Sequence, residues 1–153
     1  MYTGSKGDHL NELNEDNGII LHEPVSYDKL QKEIDNSEFV VHVESFDEDI
    51  VLDLKYAFTT KIADMLASGR CPVVYGPDEI ASIKYFKDTN SGCVISSKDS
   101  LQKMLSELLD DRDLEELYVR NALELAQNYH NPDINAESFN ELLSSVENPL
   151  LLK

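Results

Sequence analysis

The stretch Phe39-Val40-Val41-His42-Val43 is apolar at four of its five positions and rich in β-branched residues. A strand reads this way when it lies in a parallel sheet with both faces covered. Downstream, Pro72-Val73-Val74-Tyr75 and Gly92-Cys93-Val94-Ile95 repeat the pattern. The segments between them change period. Ile62, Met65 and Leu66 recur at helical spacing until Gly69, a residue that ends helices because it takes a left-handed conformation freely. Asp78 is placed to cap a further helix through Ile80, Ile83 and Phe86. Strand, helix, strand, helix implies an α/β domain with an open, mostly parallel sheet and helices on both faces.

On the N-terminal side, Ile19-Ile20-Leu21 reads as a short strand, and Ser26 as the cap of a helix carrying Leu30 and Ile34. The acidic stretch from Glu44 to Asp53 reads as a loop. On the C-terminal side, Leu101, Met104, Leu105, Leu108 and Leu109 form one helical face. Asp113 with Glu116 resembles a capping box opening a helix with Leu114, Leu117, Tyr118, Ala122 and Leu125 inward. A last helix follows Pro132 with Phe139, Leu142, Leu143 and Val146 inward. These two consecutive helices are expected to lie across the sheet.

The 153 residues suit one domain, spanning 1–153, and 41% hydrophobic residues are enough to close a core. A net charge of −17 repels both a phosphate backbone and an anionic leaflet, so neither nucleic acid nor membrane is expected as a partner. Two cysteines, Cys71 and Cys93, are too few for a stapled secreted scaffold and form no CxxC pair. The first 17 residues are polar where a signal peptide is apolar, and no run approaches a membrane span. A cytoplasmic location is expected.

In an open parallel sheet, ligands sit outside the carboxyl ends of the strands. Two stretches fall there. In Phe58-Thr59-Thr60-Lys61-Ile62-Ala63-Asp64, either threonine can cap a helix whose first turn carries Lys61. A cation at the positive end of a helix dipole is unfavourable unless an anion shares the place, and phosphate is such an anion. The bland alternative is a lysine that snorkels to water or pairs with Asp64. Glu44-Ser45-Phe46 follows the strand and puts Glu44 at the carboxyl edge, within reach of a polyol; alternatively, Glu44 is one more solvated acid beside Asp47, Glu48, Asp49 and Asp53. Those acids lack the alternation of a calcium loop, and no metal is expected. The four histidines lack ligand spacing, and His42, inside a strand, reads as a satisfied core residue. Gly4-Ser5-Lys6-Gly7 does not form a phosphate loop.

Taken together, Val41-His42-Val43-Glu44-Ser45-Phe46-Asp47, then Phe58 to Arg70 with "TTKIADMLASGR", then Tyr75-Gly76-Pro77 resemble, in order and spacing, the C-terminal domain of bacterial GT-B glycosyltransferases of the family 4-like kind. The resemblance runs from about Tyr2 to Leu143. It implies a Rossmann-like three-layer α/β/α domain binding a nucleotide diphosphate sugar, such as a UDP-sugar, as substrate rather than cofactor. It implies retaining transfer, without a metal, to a glycan or lipid-linked acceptor on a separate N-terminal domain. By the same resemblance Thr59, Thr60 and Lys61 face the donor diphosphate, while Glu44, Ser45, Phe46 and Asp64 face the ribose and sugar. Gly4, Phe58 and Gly76 are further cleft candidates, and no general base is assigned. Where the family's first paired Glu is expected, this chain has Tyr56. Met1 to Leu13 matches the domain's second strand and following helix, so the first strand is expected to be missing, the chain to be an inactive fragment, and the open sheet to be available to a second copy. Competing readings are a GT-B-fold sugar-nucleotide epimerase, for which only His22 looks suitably placed, and a non-catalytic acidic α/β regulatory module.

Overall fold

A computed structural model of the chain describes residue 16, residues 18–20 and residues 22–147. Gly4, Leu21 and the block from Met1 to Leu13 lie outside the described residues. The chain divides into two compact units, Met1–Asn36 and Ser37–Lys153. In the first, Ile19 and Ile20 belong to no strand, contrary to the expectation from their apolar run. Helix α1, Tyr27–Asp35, follows with extended Ser26 at its N-cap, although the Ser26 hydroxyl caps nothing.

The second unit is built on three parallel strands in spatial order β1 (Phe39–Val43), β2 (Cys71–Tyr75) and β3 (Cys93–Ile95). Between β1 and β2 run α2 (Glu48–Leu54) and α3 (Lys61–Ala67), and between β2 and β3 runs α4 (Ala81–Thr89). After β3 come α5 (Lys98–Asp110), α6 (Arg112–Tyr129) and α7 (Pro132–Glu147). This is a Rossmann-like α/β/α arrangement.

The alternation of β2 sends its side chains to two cores. Val74 meets Ile62 and Leu66 of α3, Ile83 and Phe86 of α4, and Ala122 of α6. Cys71 and Val73 point the other way, with Cys93 and Ile95 of β3, onto Leu108 of α5 and the Tyr118 and Val119 part of α6. Gly69 stops α3 with φ +69°, the left-handed conformation its sequence position suggests.

Several elements depart from the sequence reading. The acidic stretch is not all loop: Asp47 accepts a hydrogen bond from the Asp49 amide and opens α2, where Glu48 and Asp49 suit the positive end of the dipole. Among the described residues one face of strand β1 is covered only in part: Phe39 packs on the Cys71 and Val73 core, while Val41 and Val43, in register with Val73 and Tyr75, are 64% and 62% exposed. Asp78 does not cap α4, whose N-cap is Ile80; it instead accepts from Lys87 and Ser96. Helix α6 is capped by Asp111, which accepts from the Leu114 amide at 3.0 Å, while Glu116 pairs with Arg112 and not with Asp113. On α7, Phe139, Leu142, Leu143 and Val146 are exposed rather than inward.

Candidate functional site

The carboxyl ends of β1 and β2 bring together residues far apart in sequence. Glu44 continues the ladder one residue past β1 by donating its amide to the Tyr75 carbonyl at 2.8 Å. It lies against Gly76, where an added Cβ would stand only 3.0 Å from Glu44 Cβ. Period-two alternation puts His42 on the same face as Glu44, and its Nε2 lies 3.0 Å from Glu44 Oε1. The same nitrogen lies 3.3 Å from Oγ of Ser82, a buried residue in the first turn of α4. A carboxylate only accepts, so Nε2 carries the proton it shares with Glu44.

Glu44 is therefore not a solvated loop acid: its side chain is 18% exposed and hydrogen-bonded. His42 is satisfied, as its place in a strand indicates, yet it belongs to the edge where ligands bind. Burial pushes its pKa below the ordinary value; the Glu44 carboxylate opposes that shift and the Lys61 charge adds to it. The histidine at this edge is thus His42, which its sequence context marks only as a core residue, whereas His22 was the one that looked suitably placed for the epimerase alternative. His42 and Ser82 are 40 positions apart, and no spacing signal could have joined them.

Lys61 begins α3, with Thr60 at the N-cap position. The capping hydroxyl belongs to Thr59, whose Oγ1 accepts from the Lys61 amide at 3.4 Å, while the Thr60 side chain caps nothing. Among the described residues, Lys61 forms no ion pair, with Asp64 or any other acid. Asp64 is exposed one turn further along α3. This leaves an exposed ammonium and an uncommitted threonine hydroxyl at the helix start, with Lys61 near enough to His42 for its charge to act on that ring.

The other candidates frame this edge. The Ser45 hydroxyl accepts from the Asp47 amide at 3.1 Å, shaping the turn into α2. The Phe46 ring packs 5.0 Å from that of Tyr75 and helps line a cavity of about 270 Å³ with Val51, Lys55 and Pro77. Phe58, just before Thr59, packs edge-on to Tyr85 at 5.2 Å and stacks on His130. Tyr85 Oη and His130 Nε2 are 2.8 Å apart, which ties the end of α6 to α4 beneath Phe58. Among the described candidates, the geometry unites Glu44 and Gly76 with His42 and Ser82, while Lys61 at the start of α3 acts on His42 through its charge. The same geometry gives Ser45 and Phe58 supporting positions.

Chemically, such an edge offers a cation that suits an anionic group and a held carboxylate that suits hydroxyls. No curated protein and no solved structure matches the chain. The sequence profile of the family described as glycosyl transferase-like matches residues 4–141, nearly all of the 153-residue chain and every candidate named above. The chain belongs to the glycosyl transferase-like family.

Proposed function

We propose that the domain binds the nucleotide diphosphate sugar donor of a glycosyltransferase at the carboxyl edge of its sheet. Thr59, Thr60 and Lys61 hold the diphosphate there, and Glu44, Phe46 and Asp64 face the ribose and sugar. The observation that carries this reading is Lys61: an exposed lysine without an acidic partner among the described residues, at a helix start where only an anion makes its charge favourable.

In the proposed transfer, the bond between the anomeric carbon and the diphosphate oxygen breaks. A bond from the acceptor oxygen to that carbon forms on the same face, and the acceptor hydroxyl's proton passes to the departing diphosphate oxygen. Negative charge grows on the departing diphosphate. Lys61 and the Thr60 hydroxyl, carried at the start of α3, meet that charge as it develops, which favours the transition state over the ground state without a metal. The acceptor, a glycan or lipid-linked sugar, is presented from outside this domain.

The test is a titration of the chain with UDP, GDP and their sugars, followed by thermal unfolding. A ligand at a hundredfold its dissociation constant stabilises the native state by about 2.7 kcal/mol. At least one of these nucleotides should raise the melting temperature accordingly. If none does, the donor-site reading fails.

A further inference from the structure

Glu44 uses one carboxylate oxygen on His42, and its other oxygen takes no hydrogen bond from the described residues. A mostly buried carboxylate with a free lone pair serves only if its direction is fixed, and His42 is the group that fixes it. The imidazole lies between Glu44 on the sheet edge and buried Ser82 on α4. Gly76 supplies the space into which Glu44 Cβ fits.

Resting on the donor-site reading above, we propose that His42 is a positioning residue. Through Nε2–H, a proton it shares more weakly with the Ser82 hydroxyl oxygen, it holds Glu44 Oε1 so that Oε2 accepts a hydroxyl of the donor's sugar. The diphosphate is left to Lys61. The neutral imidazole suits this role. It donates to Glu44 without cancelling the carboxylate's charge, and burial together with the field of Lys61 disfavours the imidazolium. The cluster therefore stays acceptor-rich on the sugar side and cationic on the phosphate side. That division gives the site a way to discriminate a nucleotide sugar from the bare nucleotide.

The test compares calorimetric affinities for UDP and GDP with those for UDP-glucose and GDP-mannose, using the whole chain. In the wild type, the matching nucleotide sugar should bind more tightly than its nucleoside diphosphate. His42→Phe keeps the ring volume and loses the donor. It should remove most of that sugar increment, about tenfold, the worth of a hydrogen bond to a charged acceptor, while leaving nucleoside diphosphate affinity unchanged. Glu44→Gln should lose the same increment, and the double variant should lose no more than Glu44→Gln alone. His42→Gln, which retains an N–H, should restore part of it. If His42→Phe does not fold, His42→Asn carries the comparison, because its amide is too short to reach Glu44. A sugar increment that survives loss of the donor overturns the positioning role and leaves the donor site standing, as does an equal loss for nucleotide and nucleotide sugar. Absence of any nucleotide binding by the wild type overturns both.

Discussion

At Gly76 there is room for a hydrogen and little more. An added methyl would stand 2.8 Å from Ile83 Cδ1, in a fully buried side chain, and 3.0 Å from Glu44 Cβ. Gly76→Ala should therefore lower stability by about 1–3 kcal/mol, read as a lower urea midpoint at unchanged slope. His42 carries a pH dependence whose sign follows from its burial. Its native pKa lies below 6.5, so as pH falls the unfolded chain takes up the proton first. Stability contributed by the neutral ring is present above 6.5 and is lost as pH drops from there towards the lowered native value. His42→Gln should flatten that part of a stability-against-pH curve; an unchanged slope would show that His42 does not titrate this way. The two thiols stand apart from the site chemistry. Burial above all, with Glu115 and Cys93 adding to it, pushes the Cys71 thiol up to about 12, and burial raises Cys93 as well. Neither should react with a disulfide reagent near pH 8 until the chain unfolds, and two rapidly titrating native thiols would refute that protection.

Helix ends show how far a sequence speaks for its elements. Helix α6 begins where Asp111 meets the Leu114 amide, so Asp111→Ala should cost about 1 kcal/mol. Asp113, two residues on in the first turn, should cost a few tenths of a kcal/mol at most when changed to Ala. Equal losses in denaturant titrations would restore Asp113 as the cap. The Asp113-x-x-Glu116 spacing was visible in the sequence and pointed to the wrong aspartate, because Asp111, which does cap the helix, is followed three residues on by Leu114 and shows no such box. Helix α2 was hidden for a related reason. Asp47, Glu48 and Asp49 mask a short apolar face of Val51 and Leu54, which pack at the margin of the core rather than within it. Strong periodicity was more reliable: α3, α4 and strands β2 and β3 follow their apolar patterns because those residues are the ones buried, and α5 does so through Leu108, whereas Leu109, expected on the same face, is 67% exposed. The failure on α7 has the same logic in reverse, since its pattern is helical while its apolar residues face outward. Leu108→Ala, in α5 and 1% exposed, should cost about 2–5 kcal/mol. Leu142→Ala, 62% exposed, should cost under about 0.5 kcal/mol.

For the molecule as a whole, the net charge of −17 makes a bound anion unexpected until the place of Lys61 is considered. Thirty acidic residues set a repulsive field that salt screens over roughly 10 Å at 0.1 M, whereas a lysine at a helix start acts at contact distance. The proposed phosphate side could be suggested from sequence for this reason, as a threonine, a lysine and a helix start are adjacent along the chain. The proposed sugar side could be suggested only in part. Glu44 could be placed at the sheet edge, but its partner His42, the Ser82 hydroxyl behind that ring and Gly76 beside it meet only through the parallel register of β1 with β2. One calorimetric comparison decides whether Lys61 is the anion's partner: titration of UDP and GDP into the wild type and into Lys61→Ala, with melting temperatures confirming that both are folded. Lys61 is exposed and unpaired among the described residues, so its removal should leave stability within about 0.5 kcal/mol. Nucleotide binding should weaken by at least about tenfold, as expected for loss of a charge-assisted contact. A Lys61→Ala protein that binds the nucleotide as tightly as the wild type would contradict the site.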